Sequence, residues 1–441
     1  MNPLLADWLR WLLARRIVDA NLLYPLYAAS LLLVVWVAWP RRDAGWRRLL
    51  LGAGTGTAVG GVALAVAEVG MNIGGGPLPV ITRCWVVGFT AVLGLLIAAG
   101  IRAPWWRRVA GLLTVPVLLT STVLGINKSF GMDDTLAQLL GVQIFPELPL
   151  PPAMVDGMDA RRGASEALSQ VWTPPVHMPT QGRTGQRRIP GAVSGFAARP
   201  AGIYLPPAAL VADAPRLPVV IMMLGQPGNP DPAWVARALD PLARQHGGLA
   251  PIVVVADQIG KPTHDTLCLN TKRYGNVETY LSVDVVTWIR QNLNVSRDPR
   301  DWTIAGYSNG GQCALSLAAK HPGIWGNVVD ISGEAYPGQE HPAATLRDVF
   351  GGDRTAYEAV KPHTILAHHH YSDMWAYFSF GTDDTTYGPG VRELASQAAA
   401  AGMTVHLDAL PHAGHAAAAL QGGLADGFSW LYPRWGLDAP A

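Results

Sequence analysis

One stretch of the chain constrains its fold more than any other. Residues 303–306 are typical of a short buried strand, and the alanine- and leucine-rich run after residue 310 predicts a helix. Between them lies a G-x-S-x-G pattern at 306–310. A serine on a sharp strand-to-helix turn needs glycines where a Cβ would clash, and its hydroxyl is then exposed at the helix N-terminus. The pattern therefore predicts a nucleophilic serine, Ser308, in preference to an ordinary loop serine.

Two later segments repeat the strand-and-helix pattern of a parallel sheet. Residues 375–381 predict a buried strand, and residues 405–410 predict the next one. A helical pattern runs between them, from about Gly390 to Gly402. Strand, loop, helix and strand in this order are typical of an α/β protein with a mostly parallel central sheet and helices on both faces.

Each of these two strands is followed by a residue that a nucleophilic serine needs. Asp384 comes after the first strand and His415 after the second, which is the chain order of serine, acid and base in α/β-hydrolases. Asp383 is a competitor for the acid, and His412 for the base. An imidazole takes the serine proton and a carboxylate orients the imidazole. The predicted triad is therefore Ser308, Asp384 and His415.

A second donor for a developing oxyanion is expected in the loop after an earlier strand. Residues 217–224 predict that strand, and Gly225 and Gln226 follow it. The N–H of Gln226 is placed to act with the N–H of Asn309, which opens the helix after the serine. These two amides are the predicted oxyanion hole. The prediction is weaker than that of the triad, because glycine and proline turns follow most buried strands.

From about residue 186 onward the chain resembles the "Putative esterase" family of α/β-hydrolases, which includes esterase D-like enzymes, feruloyl esterases and antigen 85 mycolyltransferases. Besides the serine turn, the stretches that carry the resemblance are 189–207, 278–281, 284–289 and 330–334. The resemblance implies an α/β-hydrolase catalytic domain over residues 186–435 with the triad and oxyanion hole given above. One departure is Leu224, since many relatives have His or Asp before the oxyanion-loop glycine.

The first third of the chain is strongly apolar. Four segments, near residues 22–39, 49–69, 84–101 and 109–126, each approach the ~20 residues that cross a ~30 Å hydrocarbon core. They explain a mean hydropathy of +0.19 with only 15% charged residues. We therefore expect a four-helix transmembrane region over residues 1–127, in contact with the lipid bilayer, and a linker over residues 128–185.

Arginine predicts the orientation of the apolar segments. The first and third connecting loops are rich in arginine, namely Arg41, Arg42, Arg47 and Arg48 in the first and Arg102, Arg107 and Arg108 in the third. By the positive-inside rule both loops are cytoplasmic, which leaves the catalytic domain outside. Arginines on residues 4–16, a predicted amphipathic interfacial helix, argue mildly the other way. No cleaved export signal is apparent. We expect a multi-pass cell-membrane protein with an extracytoplasmic catalytic domain.

The three cysteines have different expected roles. Cys84 lies in an apolar segment and is expected to be a small apolar residue. Cys268 precedes a predicted helix over residues 278–293, and Cys313 follows Ser308 by five positions. Both are expected near the active-site face, where a disulfide would fit an oxidising exterior. Two separate buried thiols are the alternative.

Other function classes have little support. On a strand only His368 and His370 of the histidine run 368–370 would share a face, and no H-E-x-x-H motif accompanies them, so no metal and no cofactor are expected. The net charge of +1, without a basic and aromatic stripe, argues against nucleic acid.

Taken together, the sequence predicts a membrane-anchored, extracytoplasmic serine esterase that acts on a lipid or cell-envelope ester, an arrangement that resembles anchored esterases of actinobacterial envelopes. An acyltransferase that moves an acyl group to a sugar or lipid acceptor is the first alternative, because the same triad serves both reactions. A non-catalytic envelope module that has kept the fold is the second.

Overall fold

The computed structural model describes residues 3–39, 45–72, 77–101, 103–150 and 167–438, without the side chains of residues 3–6. The chain divides into two compact units, Met1–Ile144 and Phe145–Ala441. The second unit begins earlier than residue 186, because the backbone near Pro146 pairs with the first strand: the Gln186 N–H donates to the Pro146 carbonyl at 2.9 Å. Part of the segment expected as a linker therefore packs with the second unit.

The first unit is helical. Its helices are α1 (Pro3–Leu13), α2 (Ala20–Ala38), α3 (Gly45–Ala65, continued by a π-helical turn over Val66–Gly70), α4 (Val80–Gly100), α5 (Trp105–Phe130) and α6 (Leu136–Leu139). Among the described residues, α2 to α5 are four helices long and apolar enough to cross a membrane. Many of their large apolar side chains, such as Leu51 and Leu112, are exposed, as they would be against lipid. The four predicted apolar helices are confirmed.

Helices α3 and α4 approach each other closely because glycines line their contact. A Cβ on Gly56 would lie 2.1 Å from the Thr90 carbonyl oxygen, and one on Gly94 would lie 2.2 Å from that of Gly52. Small residues let helix backbones come this near in an apolar solvent, where van der Waals packing holds helices together. The glycine-rich run in α3 therefore serves helix packing.

Three of the arginines used to predict orientation, Arg41, Arg42 and Arg102, lie outside the described residues. Residues 151–166 of the expected linker also lie outside the described residues, and Leu168–Val171 forms α7.

The second unit is built on an eight-stranded sheet. Its strands are β1 (Arg183–Arg187), β2 (Ala201–Leu205), β3 (Val219–Met223), β4 (Ile252–Val255), β7 (Trp302–Tyr307), β8 (Asn327–Ile331), β9 (Trp375–Gly381) and β10 (Thr404–Leu410), in the order β1-β2-β4-β3-β7-β8-β9-β10. The strands β5 (Asn270–Thr271) and β6 (Gly275–Asn276) form a separate hairpin. Strands β1 and β2 are antiparallel to their neighbours, and the other six run parallel. The mostly parallel α/β-hydrolase sheet is confirmed.

Helices flank this sheet. They are α8 (Ala233–Gln245), α9 (Val277–Thr279), α10 (Val286–Asn292), α11 (Asn309–Lys320), α12 (Pro342–Asp348), α13 (Arg354–Ala359), α14 (Pro362–Ala367), α15 (Gly388–Ala400) and α16 (Ala417–Leu431). Strands β2, β3, β4, β7 and β8 are buried at every residue, as expected for a sheet covered on both faces. Because six strands run parallel, their carboxyl ends share one edge of the sheet, and the loops after them converge there; these strands are β3, β4, β7, β8, β9 and β10.

Two local expectations need correction. The helix expected over residues 278–293 is divided, because a π-helical segment over Tyr280–Val285 separates α9 from α10. The histidine run does not lie on a strand. It follows α14, and the Nδ1 atoms of His368 and His369 lie 2.7 and 2.9 Å from the carbonyl oxygens of the residues four positions earlier. The run therefore begins at the C-terminal end of a helix, where the first two imidazoles contact carbonyl oxygens of the last helical turn.

Candidate active site

The backbone of Ser308 bends sharply between β7 and α11. Its φ and ψ are 58° and −123°, a conformation that a residue with a side chain seldom adopts. A Cβ on Gly306 would lie 1.9 Å from the Gly310 carbonyl oxygen, and one on Gly310 would lie 2.3 Å from that of Met223. Both positions therefore require glycine. The turn presents the Ser308 hydroxyl at the N-terminus of α11, as the pattern predicts.

The Ser308 hydroxyl meets an imidazole and a carboxylate in series. The Oγ atom lies 2.9 Å from Nε2 of His415, and Nδ1 of the same ring lies 2.9 Å from Oδ2 of Asp384. Asp384 is buried, and its Oδ1 accepts hydrogen bonds from the backbone N–H groups of Thr386 and Tyr387. These bonds fix the carboxylate, so the imidazole is held at a defined angle to the serine.

The competing acid and base lie elsewhere. Asp383 is exposed, and its backbone N–H donates to the Ala413 carbonyl at 2.9 Å. His412 is also exposed, and its N–H donates to the Thr382 hydroxyl. The geometry thus joins Asp384 and His415 to Ser308.

Two tyrosines enclose the imidazole of His415. The ring of Tyr307 stacks on it with centroids 5.0 Å apart, and the ring of Tyr387 lies 4.3 Å away on centroids. Burial, aided by Asp384, raises the pKa of Tyr307. Burial also raises the pKa of Tyr387, whose hydroxyl donates to Glu340. Both phenols therefore stay protonated and shield the imidazole without competing with it as bases.

The loop after β3 reaches the serine turn. A Cβ on Gly225 would lie 3.1 Å from the Ser308 Cβ, so the loop passes beside the nucleophile one residue before Gln226. Asn309 is the first residue of α11, where backbone N–H groups have no partner within the helix. The two predicted oxyanion donors therefore belong to segments that meet at Ser308.

A buried glutamine supplies the polar support that Leu224 does not. Gln258 follows β4, and its side-chain amide donates to the Leu224 carbonyl and, at 3.3 Å, to the Asn309 side chain. It therefore links the two segments that carry the predicted oxyanion donors. This residue was not predicted from the sequence. Its place just after a buried parallel strand was the available signal.

A disulfide joins Cys268 and Cys313, with Cα atoms 5.5 Å apart. Cys313 lies on α11, and Cys268 belongs to the loop after β4. The bond therefore ties a loop at the catalytic edge to the helix that begins at the nucleophile. Cys84, in the first unit, is a free cysteine.

Three carboxylates near the nucleophile were also missed, namely Asp265, Glu334 and Glu340. Asp265 accepts a hydrogen bond from the Asn309 side chain at 3.0 Å, and the Glu334 N–H lies 3.4 Å from the Ser308 carbonyl oxygen. Burial, followed by Asp265 and Glu340, raises the pKa of Glu334 well above its usual range. Residues 330–334 were noted only for their family resemblance, although they follow β8 at the catalytic edge. Within the described parts of the chain, no three His, Cys, Asp or Glu side chains converge as metal ligands.

A serine, an imidazole and a carboxylate in hydrogen-bonding series at the carboxyl edge of an α/β sheet define the class of serine hydrolases. The family model described as "Putative esterase" matches residues 197–431, more than half of the 441-residue chain. The chain therefore belongs to this family of α/β-hydrolases.

Individual relatives are more distant. A Corynebacterium glutamicum protein with the name "uncharacterized protein" is 34% identical over 274 residues, which cover 60% of this chain and 62% of that protein. The S-formylglutathione hydrolase of Agrobacterium tumefaciens is 16% identical, covers 60% of this chain and 100% of its own, and has a TM-score of 0.49. MPT51 of Mycobacterium tuberculosis is 18% identical, with 58% and 98% coverage and a TM-score of 0.40.

Proposed function

We propose that this protein is a membrane-anchored serine esterase that hydrolyses carboxylic esters through an acyl-enzyme on Ser308. The observation that carries the proposal is the position of His415, whose two ring nitrogens each lie 2.9 Å from a partner, Ser308 on one side and Asp384 on the other. An imidazole between a hydroxyl and a buried carboxylate is the arrangement that makes a serine nucleophilic at neutral pH.

The first half-reaction follows from this geometry. Nε2 of His415 accepts the proton of the Ser308 hydroxyl while Oγ attacks the ester carbonyl carbon. The N–H at Nδ1 donates to Asp384, which stabilises the imidazolium that forms. The backbone N–H groups of Gln226 and Asn309 donate to the tetrahedral oxyanion. His415 then gives its proton to the leaving alcohol, and the acyl group stays on Ser308.

The second half-reaction reverses these roles with water as the nucleophile. His415 accepts a proton from water, whose oxygen attacks the acyl carbon. The bond from that carbon to Oγ of Ser308 then breaks, and the hydroxyl recovers its proton from the imidazolium. The products are one carboxylic acid and one alcohol.

The four apolar helices support an attachment to the membrane, with the catalytic unit on the extracytoplasmic side. Their length and composition suit a bilayer. Arg47 and Arg48 precede the apolar part of α3, and Arg107 and Arg108 lie in the first turn of α5. Positive charge collects on the cytoplasmic side of membrane proteins, so both helix ends are assigned to that side. A substrate at the membrane surface or in the envelope fits this location.

A fluorophosphonate probe tests the proposal, because such probes label activated serines covalently. The purified full-length chain in detergent should be labelled, and Ser308→Ala should lose both the label and the hydrolysis of short-chain esters. Ser372→Ala is the matched control, since Ser372 is exposed in the loop before β9, at the opposite edge of the sheet. Equal labelling of wild type and Ser308→Ala would refute the assignment.

A further inference from the structure

Three carboxylates lie beside the proposed nucleophile and belong to no part of its triad. We name Asp265, Glu334 and Glu340 the acidic cluster. Asn309 connects the first two, because it donates to Asp265 at 3.0 Å and its side chain also acts on Glu334. Tyr387 connects the third to the triad, since its hydroxyl donates to Glu340 at 2.6 Å while its ring lies on His415.

One carboxylate oxygen of the acidic cluster lacks a hydrogen-bond partner. Glu334 is only 5% exposed, and its Oε2 has no hydrogen-bond partner in the described part of the chain. Burial raises the pKa of Asp265 as well, and Glu340 adds to the effect. His341 is the basic side chain that acts on Asp265. A buried carboxylate oxygen without a partner is costly, and a cation that reaches it removes that cost.

We propose that the acidic cluster binds the ammonium group of the substrate, and that the substrate is an aminoacyl ester. The inference rests on the proposed esterase function and names its substrate class. In an aminoacyl ester the ammonium nitrogen is two bonds from the scissile carbonyl carbon. A group bound at Ser308 therefore holds its ammonium near the residues of the serine turn, among them Asn309, whose side chain contacts both Asp265 and Glu334.

An organic ammonium suits this cluster better than a metal ion. Across the described ranges, no set of three candidate ligand side chains converges closely enough to hold a metal. The carboxylates instead approach the nucleophile from separate loops, after β4 and after β8. An ammonium group donates three hydrogen bonds in different directions, which matches acceptors that surround a site.

The chemistry is the hydrolysis given above with one added contact. Ser308 Oγ forms a bond to the aminoacyl carbon, and the bond to the alcohol oxygen breaks as that oxygen takes the proton from His415. Water then releases the free amino acid. The ammonium group keeps its protons throughout and stays bound to the acidic cluster, so it orients the acyl group without taking part in proton transfer.

The test compares two esters that differ in one group. Alanine ethyl ester and ethyl isobutyrate have the same shape, except that a methyl group replaces the ammonium group, and both release ethanol. With the purified full-length chain at pH 7, the ratio of kcat/KM for the alanine ester to that for ethyl isobutyrate should exceed the ratio of their hydrolysis rates with hydroxide, which contains the inductive effect of the ammonium group, by roughly 10- to 100-fold, the value of one charged hydrogen-bonded contact. N-acetylalanine ethyl ester, which has no charge, should lose this advantage.

Glu334→Gln should remove most of the preference, because kcat/KM should fall roughly 10-fold or more further for the alanine ester than for ethyl isobutyrate, while Ser308 still reacts with the fluorophosphonate. Glu393→Gln, an exposed substitution on α15, should keep the preference. Equal kcat/KM for the two esters in wild type would overturn the inference even if Glu334→Gln does not fold. An equal loss on both esters in Glu334→Gln would also overturn it, because that result indicates a structural role. The proposed function fails separately, when neither ester is cleaved and Ser308 is not labelled.

Discussion

Ser308 combines an unfavourable backbone conformation with several stabilising contacts. A non-glycine residue at positive φ costs about 1–3 kcal/mol, and such residues persist where the surroundings hold them. Here the Ser308 N–H donates to the Ile331 carbonyl at 2.9 Å, and its own carbonyl accepts from Gly311 at 2.9 Å. The backbone strain and the exposure of the hydroxyl at the helix end both arise from one turn. The local sequence pattern was therefore sufficient to predict the position of the nucleophile.

The choice between the two neighbouring aspartates makes a sharp prediction. Asp384→Asn should lower kcat by roughly 10³- to 10⁴-fold, because an amide favours the wrong imidazole tautomer. Asp383→Asn should stay within a few-fold of wild type, since Asp383 is exposed and away from His415. Steady-state ester hydrolysis by the purified full-length variants measures both. A larger loss in Asp383→Asn than in Asp384→Asn would contradict the assignment.

Asp330 predicts a pH-dependent stability. Burial beneath the serine turn raises its pKa from 3.8 to about 7, partly offset by the Gly333 N–H. Between about pH 4 and pH 7 the folded chain keeps this proton while the unfolded chain has lost it, so the contribution of Asp330 to stability falls as pH rises. Asp330→Asn is neutral throughout and should gain stability relative to wild type across this window, by up to about 4 kcal/mol.

Denaturant unfolding of the two full-length proteins at pH 4.5 and pH 8 checks this difference. The exposed substitution Asp383→Asn serves as the control and should show no such trend. A stability difference between Asp330→Asn and wild type that does not change with pH would show that Asp330 has the same pKa in both states.

At the scale of elements, the site depends on loops that leave parallel strands. The loop after β4 contributes Gln258, Asp265 and Cys268, and it contacts both the oxyanion loop and α11. The sequence predicted four of the strands, β3, β7, β9 and β10, because apolar runs and turn residues are local signals. It did not predict which residues of this long loop turn inward, since that depends on contacts with residues 34 to 45 positions away.

The Cys268–Cys313 disulfide should stabilise the fold. It closes a loop with a sequence separation of 45 residues. Closing a loop of this size in the unfolded chain corresponds to about 3–4 kcal/mol. The double variant Cys268→Ala/Cys313→Ala should lose about that much free energy of unfolding in a denaturant titration, whereas Cys84→Ser should be near wild type. An unchanged midpoint in the double variant would show that the disulfide adds nothing to stability.

At the scale of the whole molecule, the chain combines segments suited to two solvents. Apolar side chains are exposed along α2 to α5 in the first unit, whereas strands β2, β3, β4, β7 and β8 of the second unit are buried at every residue. This difference between the two units was predictable, because about 20 consecutive apolar residues are typical of a helix that crosses a bilayer, whatever the rest of the sequence is. The arginines beside the apolar helices predict which side of the membrane each helix end faces.

The proposed orientation predicts labelling from outside the cell. A membrane-impermeant fluorophosphonate added to intact cells that express the protein should label Ser308 as fully as it does after lysis. Ser308→Ala provides the background, and a cytoplasmic serine hydrolase in the same cells should react only after lysis. Labelling of Ser308 that also requires lysis would place the catalytic unit in the cytoplasm and reverse the proposed topology.

The sequence by itself determined the four apolar helices, four of the strands and the nucleophile turn, because each is encoded in a run of neighbouring residues. Only the tertiary structure decided which of two adjacent aspartates faces His415, and only it brought Gln258, Asp265 and Glu334 to the serine. The physical reason is the parallel sheet, which gathers the ends of strands that are distant in sequence at one edge. The inward or outward direction of each loop side chain is then set by packing against neighbours that no local pattern specifies.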